Sequence, residues 1–215
     1  MAAISGLIRV MERAARKAGG RLRRDFGEVE HLQVSRKGPA DFVSKADMRS
    51  ERTIYDELLA ARPGWGFVME EAGVIEGDPG MPRWIVDPLD GTSNFLHGIP
   101  HFAISIAAQE PRADGKGWGD VVAGVVYQPI TDQTFWAEKS RGAWLQDARL
   151  RVSARSRLAD ALVATGVPFF GHGDFAEWSR IFGAIGPEVA GIRRFGAASL
   201  DLAYVAQGRF DGFWE

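Results

Sequence analysis

The segment whose residue types could do chemistry is Asp87-Pro88-Leu89-Asp90-Gly91-Thr92-Ser93-Asn94-Phe95, which follows directly on the apolar run Trp84-Ile85-Val86. Two acids three residues apart stand where a strand-like segment ends. Pro88 interrupts a regular ladder, and Gly91 permits a tight turn with exposed backbone N–H groups. Read alone, the segment has two meanings. Asp-Pro and Asp-Gly both favour turns, so it fits an Asx-turn leading into a helix cap. Equally, two carboxylates at a strand end are costly to bury unless something positive joins them. A second acidic pair bears on the choice, because Glu70-Glu71 also follows a short apolar run, Phe67-Val68. Adjacent glutamates are usually surface charges. Two strands that both end in paired acids nevertheless fit one shared site at the carboxyl ends of a sheet, where open α/β proteins bind ligands. A carboxylate shell selects Mg²⁺, with Mn²⁺ or Ca²⁺ as alternatives, over zinc. Magnesium favours a few carboxylates plus a phosphate, which points to a phosphorylated substrate.

Neighbouring residues supply what a phosphate needs. Gly91, Thr92 and Ser93 offer backbone N–H groups and hydroxyls. Gly196-Ala197-Ala198-Ser199 opens a later helix with small side chains, leaving its positive end accessible to an anion. Other signals carry less. His97 and His101 have a zinc-like spacing, but Gly98 and Pro100 lie between them and oppose a shared helical face. Gly115-Lys116-Gly117-Trp118-Gly119 leads into a strand, so it reads as a turn rather than a nucleotide loop. The seven tryptophans read as core and interface mass.

The elements that must position these residues follow from periodicity. Ile4, Leu7, Ile8, Met11, Ala14, Ala15, Ala18 and Leu22 share one face of an N-terminal helix, with Arg9, Arg13, Arg16, Lys17, Arg21, Arg23 and Arg24 on the solvated remainder. Residues 34–43 read as loop. A second helix is predicted from Ser44, where Ser44-Lys45-Ala46-Asp47 has capping-box form, with Met48, Ile54, Tyr55, Leu58 and Leu59 inward. Strands are predicted at 66–69, 84–86, 102–108, 121–127, 134–137, 162–165 and 209–214. Helices are predicted at 175–185 and 197–206, the latter closed by Gly208. Helices, then clustered strands, then alternation give a layered α/β or α+β protein.

The run from Asp87 to Phe95, with His97 and Pro100 beyond it, resembles the metal-binding signature of the inositol monophosphatase family. Met69-Glu70-Glu71 is similar to that family's upstream acidic motif, with methionine where glycine is common. Asp41 and Asp47 match positions where the family carries aspartates, and Gly196-Ala197-Ala198 followed by Glu215 resembles its substrate-contact segment. The resemblance implies a layered α/β/α/β/α fold and Mg²⁺-dependent, lithium-sensitive hydrolysis of a phosphorylated polyol or sugar, usually by a homodimer. It makes Glu70, Asp87 and Asp90 side-chain ligands of two or three ions, with Leu89 giving its backbone carbonyl. Thr92 and Asp47 would help Glu70 activate the attacking water, although Asp47 could also serve its capping box. Gly91, Thr92, Ser93 and the Gly196 to Ala198 turn would hold phosphate, and Glu215 would accept from a sugar hydroxyl. Bound ions acidify the attacking water and steady the attacking and leaving oxygens, so water attacks in line without a phospho-enzyme. The signature does not read the leaving group, so histidinol-phosphate, fructose-bisphosphate and 3′-phosphoadenosine phosphatases remain alternatives. A regulatory binding protein on a phosphatase scaffold is a further alternative, supported by the basic first helix.

Composition bounds these readings. The 215 residues are 46% hydrophobic and 25% charged, with a net charge of −2 and no cysteine. That excludes disulfides and thiol chemistry, gives no general attraction for nucleic acid, and fits a cytoplasmic protein. No apolar run approaches the roughly 18 residues of a membrane span. One phosphatase domain with two lobes is expected, a metal-binding lobe over about 1–145 and the start of a C-terminal lobe over 146–215. The family normally continues past this glutamate to a Trp-Asp motif that supplies another ligand. A chain ending at Glu215 is therefore expected to be truncated or continued in a separate segment. If it is the whole polypeptide, an incomplete second metal site, weak or absent activity and apolar core exposed at Phe213 and Trp214 are expected.

Overall fold

The computed structural model describes residues 4–32, 39–168 and 173–215, with side chains outside 29–44. They form two compact units, Met1–Arg149 and Leu150–Glu215. The first unit opens with helices α1 (Gly6–Leu32) and α2 (Pro39–Ala61). Strands β1 (Gly66–Met69), β2 (Gly73–Ile75) and β3 (Arg83–Asp90) follow, then a short helix α3 (Thr92–Leu96). Strands β4 (Ala103–Pro111), β5 (Trp118–Gln128), β6 (Gln133–Glu138), β7 (Gly142–Leu145) and β8 (Ala148–Arg149) complete it. All eight strands join one sheet in the order β2-β1-β3-β4-β5-β6-β7-β8. β1 and β3 run parallel, and the remaining neighbours run antiparallel.

The predicted α1 stripe is the one buried: Ile8, Met11, Ala14, Ala15, Ala18 and Leu22 lose essentially all solvent. This face packs against α2 and β5. The approach to the sheet is close enough to need glycine, since a Cβ on Gly19 would lie 2.4 Å from the Tyr127 ring. On the opposite face Arg13 and Lys17 pair with Glu57, and Arg16 pairs with Glu12 and Asp132.

Several boundaries differ from the sequence expectation. The second helix starts at Pro39, not Ser44, so residues 39–43 are helical, Ser44 and Asp47 lie inside the helix, and no capping box exists there. Proline is well suited to a first helical turn, where its missing N–H would have had no partner. β3 continues through Pro88, with a register shift against β4 between Asp87 and Asp90 absorbing the lost donor. Met48 and Leu59, expected inward, are 49% and 37% exposed. Trp84 and Trp136 are core, whereas Trp118 sits at the surface with the Arg83 guanidinium 4.0 Å over its ring. Strands β2, β7 and β8 were too short to leave a periodic signal.

The second unit has a 3₁₀ turn at Leu158–Asp160, then β9 (Leu162–Thr165), α4 (Phe175–Ile185), β10 (Gly191–Arg193), α5 (Ala198–Ala206) and β11 (Gly212–Trp214). β9 is central in a parallel sheet ordered β10-β9-β11. Asp174 caps α4 by accepting from the N–H groups of Ala176 and Glu177. The Asp211 carboxylate ties Ser153, Arg155 and the Leu162 N–H together.

Candidate functional site

The acidic residues of the first unit are gathered by three elements. β1 and β3 are parallel neighbours with Met69 in register with Val86. The next residues on, Glu70 just past the end of β1 and Asp87 still within β3, therefore lie side by side. α2 supplies the third wall. Asp47, Ser50, Glu51, Ile54 and Leu58 recur at helical spacing and form one buried stripe, with Asp47 4% and Glu51 6% exposed. Its carboxyl-terminal half is apolar core, and its amino-terminal half faces the acids.

Local bonds fix the 87–92 segment. Asp87 Oδ1 accepts from the Leu89 N–H at 3.0 Å, so the Asx-turn forms as one of the two readings required. Gly91 has φ 92°, a left-handed conformation that suits glycine, and α3 starts immediately after it. The Thr92 hydroxyl donates to the Leu89 carbonyl at 3.0 Å. Beneath, the rings of Phe95, Phe26 and Phe102 pack together with centroids 5.0 to 5.6 Å apart. Asn94 reaches the His101 carbonyl at 2.7 Å.

The same segment is electrostatically crowded, so both meanings of the sequence apply at once. Burial, then Asp90 and Glu70, push the Asp87 carboxyl up from its ordinary range despite the Leu89 N–H. Burial of the Glu70 carboxyl raises it too, with Glu71, Asp90 and Glu51 adding to the effect and the Asp87 bond opposing it. Asp47 is pushed up to about 7, first by burial and then by Glu70, Glu71 and Glu51. His101 is lowered by burial, with Asp90 opposing. Asp47, Glu70, Asp87 and Asp90 are thus near enough to repel one another. Among the described residues, no three His, Cys, Asp or Glu side chains close around a point in ion-holding geometry.

A hard divalent cation fits this set by its chemistry. The donors are all oxygens, and the Asp47 Oδ1 is buried with no hydrogen-bond partner among the described residues. A zinc role for His97 and His101 finds no support: His97 is exposed and its Nδ1 lies 2.7 Å from the Ser93 carbonyl. The side chain of Asp41 lies outside the described residues.

Gly196, Ala197, Ala198 and Glu215 fall in the second unit. Gly196 has φ +82°, and Ala197 is the extended residue that precedes α5, with no side-chain cap. Glu215 lines a cavity of about 300 Å³ with Val167, Trp178 and Trp214. Sequence reasoning missed Ser50 and Glu51. Counting three and four residues on from Asp47 would have found them, but the inward face had been centred on Met48 instead.

A mixed sheet covered by helices, with acids gathered where two parallel strands end, defines a layered α/β protein offering oxygen ligands to a hard cation. Residues 4–215 match the inositol monophosphatase family. The chain is 56% identical over 211 residues to an inositol-1-monophosphatase of Rhizobium meliloti, covering 98% of this chain and 77% of that protein. It is 42% identical to a protein named Nus factor SuhB from Pseudomonas aeruginosa, over 97% and 76% of the two chains. The crystal structure of extragenic suppressor protein suhB from Bartonella henselae superposes with a TM-score of 0.83 at 53% identity, over 97% and 77%. The chain belongs to the inositol monophosphatase family, a family of metal-dependent phosphoric monoester hydrolases.

Proposed function

We propose that this chain binds Mg²⁺, two or three ions with Mn²⁺ as a substitute, and hydrolyses a phosphate monoester of inositol or a similar polyol. The observation that carries this reading is the gathering of Asp47, Glu70, Asp87 and Asp90 around the ends of β1 and β3. The name of the 56%-identical relative supports inositol monophosphate as the substrate. Glu70, Asp87, Asp90 and the Leu89 carbonyl are the residues that would hold the ions. When bound, such an ion supplies Lewis acidity toward water and phosphoryl oxygens.

The chain's own groups do the rest. The Thr92 hydroxyl spends its proton on the Leu89 carbonyl, which leaves its oxygen free to accept from the attacking water. Asp47 and Glu70 share the uptake of the water's proton as the water attacks phosphorus in line. The bond from phosphorus to the polyol oxygen breaks, and that oxygen leaves as a hydroxyl with a proton from solvent. The backbone N–H groups of Gly91, Thr92 and Ser93 precede the first bond of α3, from Phe95 N–H to the Gly91 carbonyl, and have no backbone acceptor among the described residues, which suits them to phosphate oxygens. The family resemblance would assign phosphate contact to the backbone of Gly196, Ala197 and Ala198 ahead of α5, which has no side-chain cap, and a substrate hydroxyl to Glu215. Lithium sensitivity, a homodimer and a cytoplasmic location belong to this reading. Among the described residues no helix is long and apolar enough to cross a membrane.

Phosphate release with Mg²⁺ from inositol monophosphate, histidinol phosphate, fructose bisphosphate and 3′-phosphoadenosine phosphate tests it. Inositol monophosphate should turn over best, and Asp90→Asn should abolish the activity. Turnover of none of the four refutes the reading. The relatives named Nus factor SuhB favour a second reading, a regulatory binding protein on this scaffold. Against it, Arg13, Arg16 and Lys17 of the basic helix already have carboxylate partners within their own unit. A regulatory function that survives Asp90→Asn would support that alternative.

A further inference from the structure

Three acids that repel one another will not keep station unless the backbone beneath them is fixed. Two consecutive residues of α2 do this fixing. The Ser50 hydroxyl donates to the Pro88 carbonyl at 2.9 Å, inside the Asp87–Asp90 segment. The Glu51 carboxylate accepts from two successive backbone N–H groups, Glu71 at 2.9 Å and Ala72 at 3.1 Å. Both side chains are buried, at 1% and 6% exposure. One helix face thus grips each acid-bearing segment by its main chain. Glu51 uses one oxygen for each amide, which marks it off from Asp47, whose Oδ1 has no partner among the described residues.

We infer that Glu51 is a positioning residue: it clamps the 70–72 turn and so holds Glu70 beside Asp87, while Ser50 holds the facing segment. Glu51 is not itself an ion ligand. Its consequence for metal affinity rests on the Mg²⁺ reading above; the clamp does not. The geometry demands a carboxylate, because it must present an acceptor to both N–H groups. Glutamine keeps the shape but turns one acceptor into an N–H₂ that meets another donor. Aspartate falls one methylene short of both.

The test uses the full chain and Glu51→Gln, with Glu51→Asp as a second variant and Thr53→Ala as the control. Thr53 is a buried polar residue of the same helix whose hydroxyl is spent on the Arg49 carbonyl. Amide hydrogen exchange at Glu71 and Ala72 is followed without metal, and Mn²⁺ affinity is measured by electron paramagnetic resonance. In Glu51→Gln the amide left facing the N–H₂ should exchange at least about 10-fold faster, and the Mn²⁺ Kd should rise about 10- to 100-fold, as is usual for lost outer-shell support. Thr53→Ala should leave the Kd unchanged even where it lowers the unfolding midpoint equally. Undiminished amide protection in Glu51→Gln overturns the clamp. Lost protection with an unaltered Kd overturns its role in holding Glu70. If the unaltered chain binds no Mn²⁺, the metal reading fails, and the exchange comparison alone decides the clamp.

Discussion

Replacing Asp47 by asparagine should make the metal-free protein more stable while removing its chemistry, and the gain should depend on pH in a definite way. The Asp47 carboxyl is raised from 3.8 to about 7 by burial and by Glu70, Glu71 and Glu51. In the unfolded chain it releases its proton near the ordinary value. Between these two values the folded state holds a proton that the unfolded state does not, so stability falls as pH rises. Each pH unit in that window costs about 1.4 kcal/mol, which makes at most about 3 kcal/mol between pH 5 and pH 7; above that the loss levels off. Asparagine has no such titration, and its N–H₂ can donate to the carboxylates that repel the native side chain. Urea unfolding in EDTA at pH 5 and pH 8 should therefore show a gain from Asp47→Asn that grows by up to about 3 kcal/mol. Excess Mg²⁺ should shrink the gain at pH 8, since a bound cation offsets the repulsion that raises the Asp47 carboxyl. A gain that is flat with pH, or a variant less stable than its parent in EDTA at pH 8, refutes the reasoning.

Other perturbations test the scaffold. Gly19→Ala puts a Cβ 2.4 Å from Tyr127, whose hydroxyl is held by Asp132 at 2.8 Å, and should cost about 1–3 kcal/mol in urea unfolding. Phe95→Ala removes a fully buried ring from the Phe26–Phe102 cluster beneath α3 and should cost about 3–5 kcal/mol, weakening Mn²⁺ binding as well. Asp211→Ala strips the Leu162 N–H and Arg155 of their acceptor and should cost about 2 kcal/mol at neutral pH. Burial opposes its ionisation, but bonds from Ser153, Arg155 and Leu162 hold that carboxyl below its ordinary range. Its contribution is therefore present above that range and is lost on acidification, so parent and variant should converge toward low pH in acid-dependent unfolding.

The elements legible in the sequence were those whose burial is apolar and periodic. The α1 stripe, the helix at 175–185 and the strands 66–69, 121–127 and 162–165 follow from spacing alone, because water removal from one face sets them. The acidic segments were visible because two apolar runs each end in paired acids; either pair alone has an ordinary turn or surface reading. What stayed hidden shares a cause. The inward face of α2 carries Asp47, Ser50 and Glu51 where an apolar pattern is sought, which shifted the reading toward Met48 and Leu59. The helix start was misplaced for the same reason, since Ser44 and Asp47 imitate a cap when read without the face they belong to. β2, β7 and β10 are short like β1 and β9 but have no residue buried below the surface layer, so neighbouring strands and not an apolar run set them.

Buried polar groups on α2 divide by whether their bonds are met, and that division separates scaffold from chemistry. Ser50 and Glu51 are satisfied by backbone of the segments they face, so their burial costs little and adds rigidity. Asp47, on the same stripe, keeps an oxygen without a partner among the described residues and a carboxyl that its neighbours oppose. An unmet buried atom alone does not mark function, since the Trp84 Nε1 is equally unmet and lies in the core. A charge makes the difference: an indole N–H without a partner loses one hydrogen bond, whereas a carboxylate among carboxylates is repelled at every pH where it is ionised. Such an arrangement persists only where the scaffold is strong enough to hold it or a cation joins it. α2 supplies the first through Ser50 and Glu51, and the oxygens of Asp47, Glu70, Asp87 and Asp90 are suited to the second.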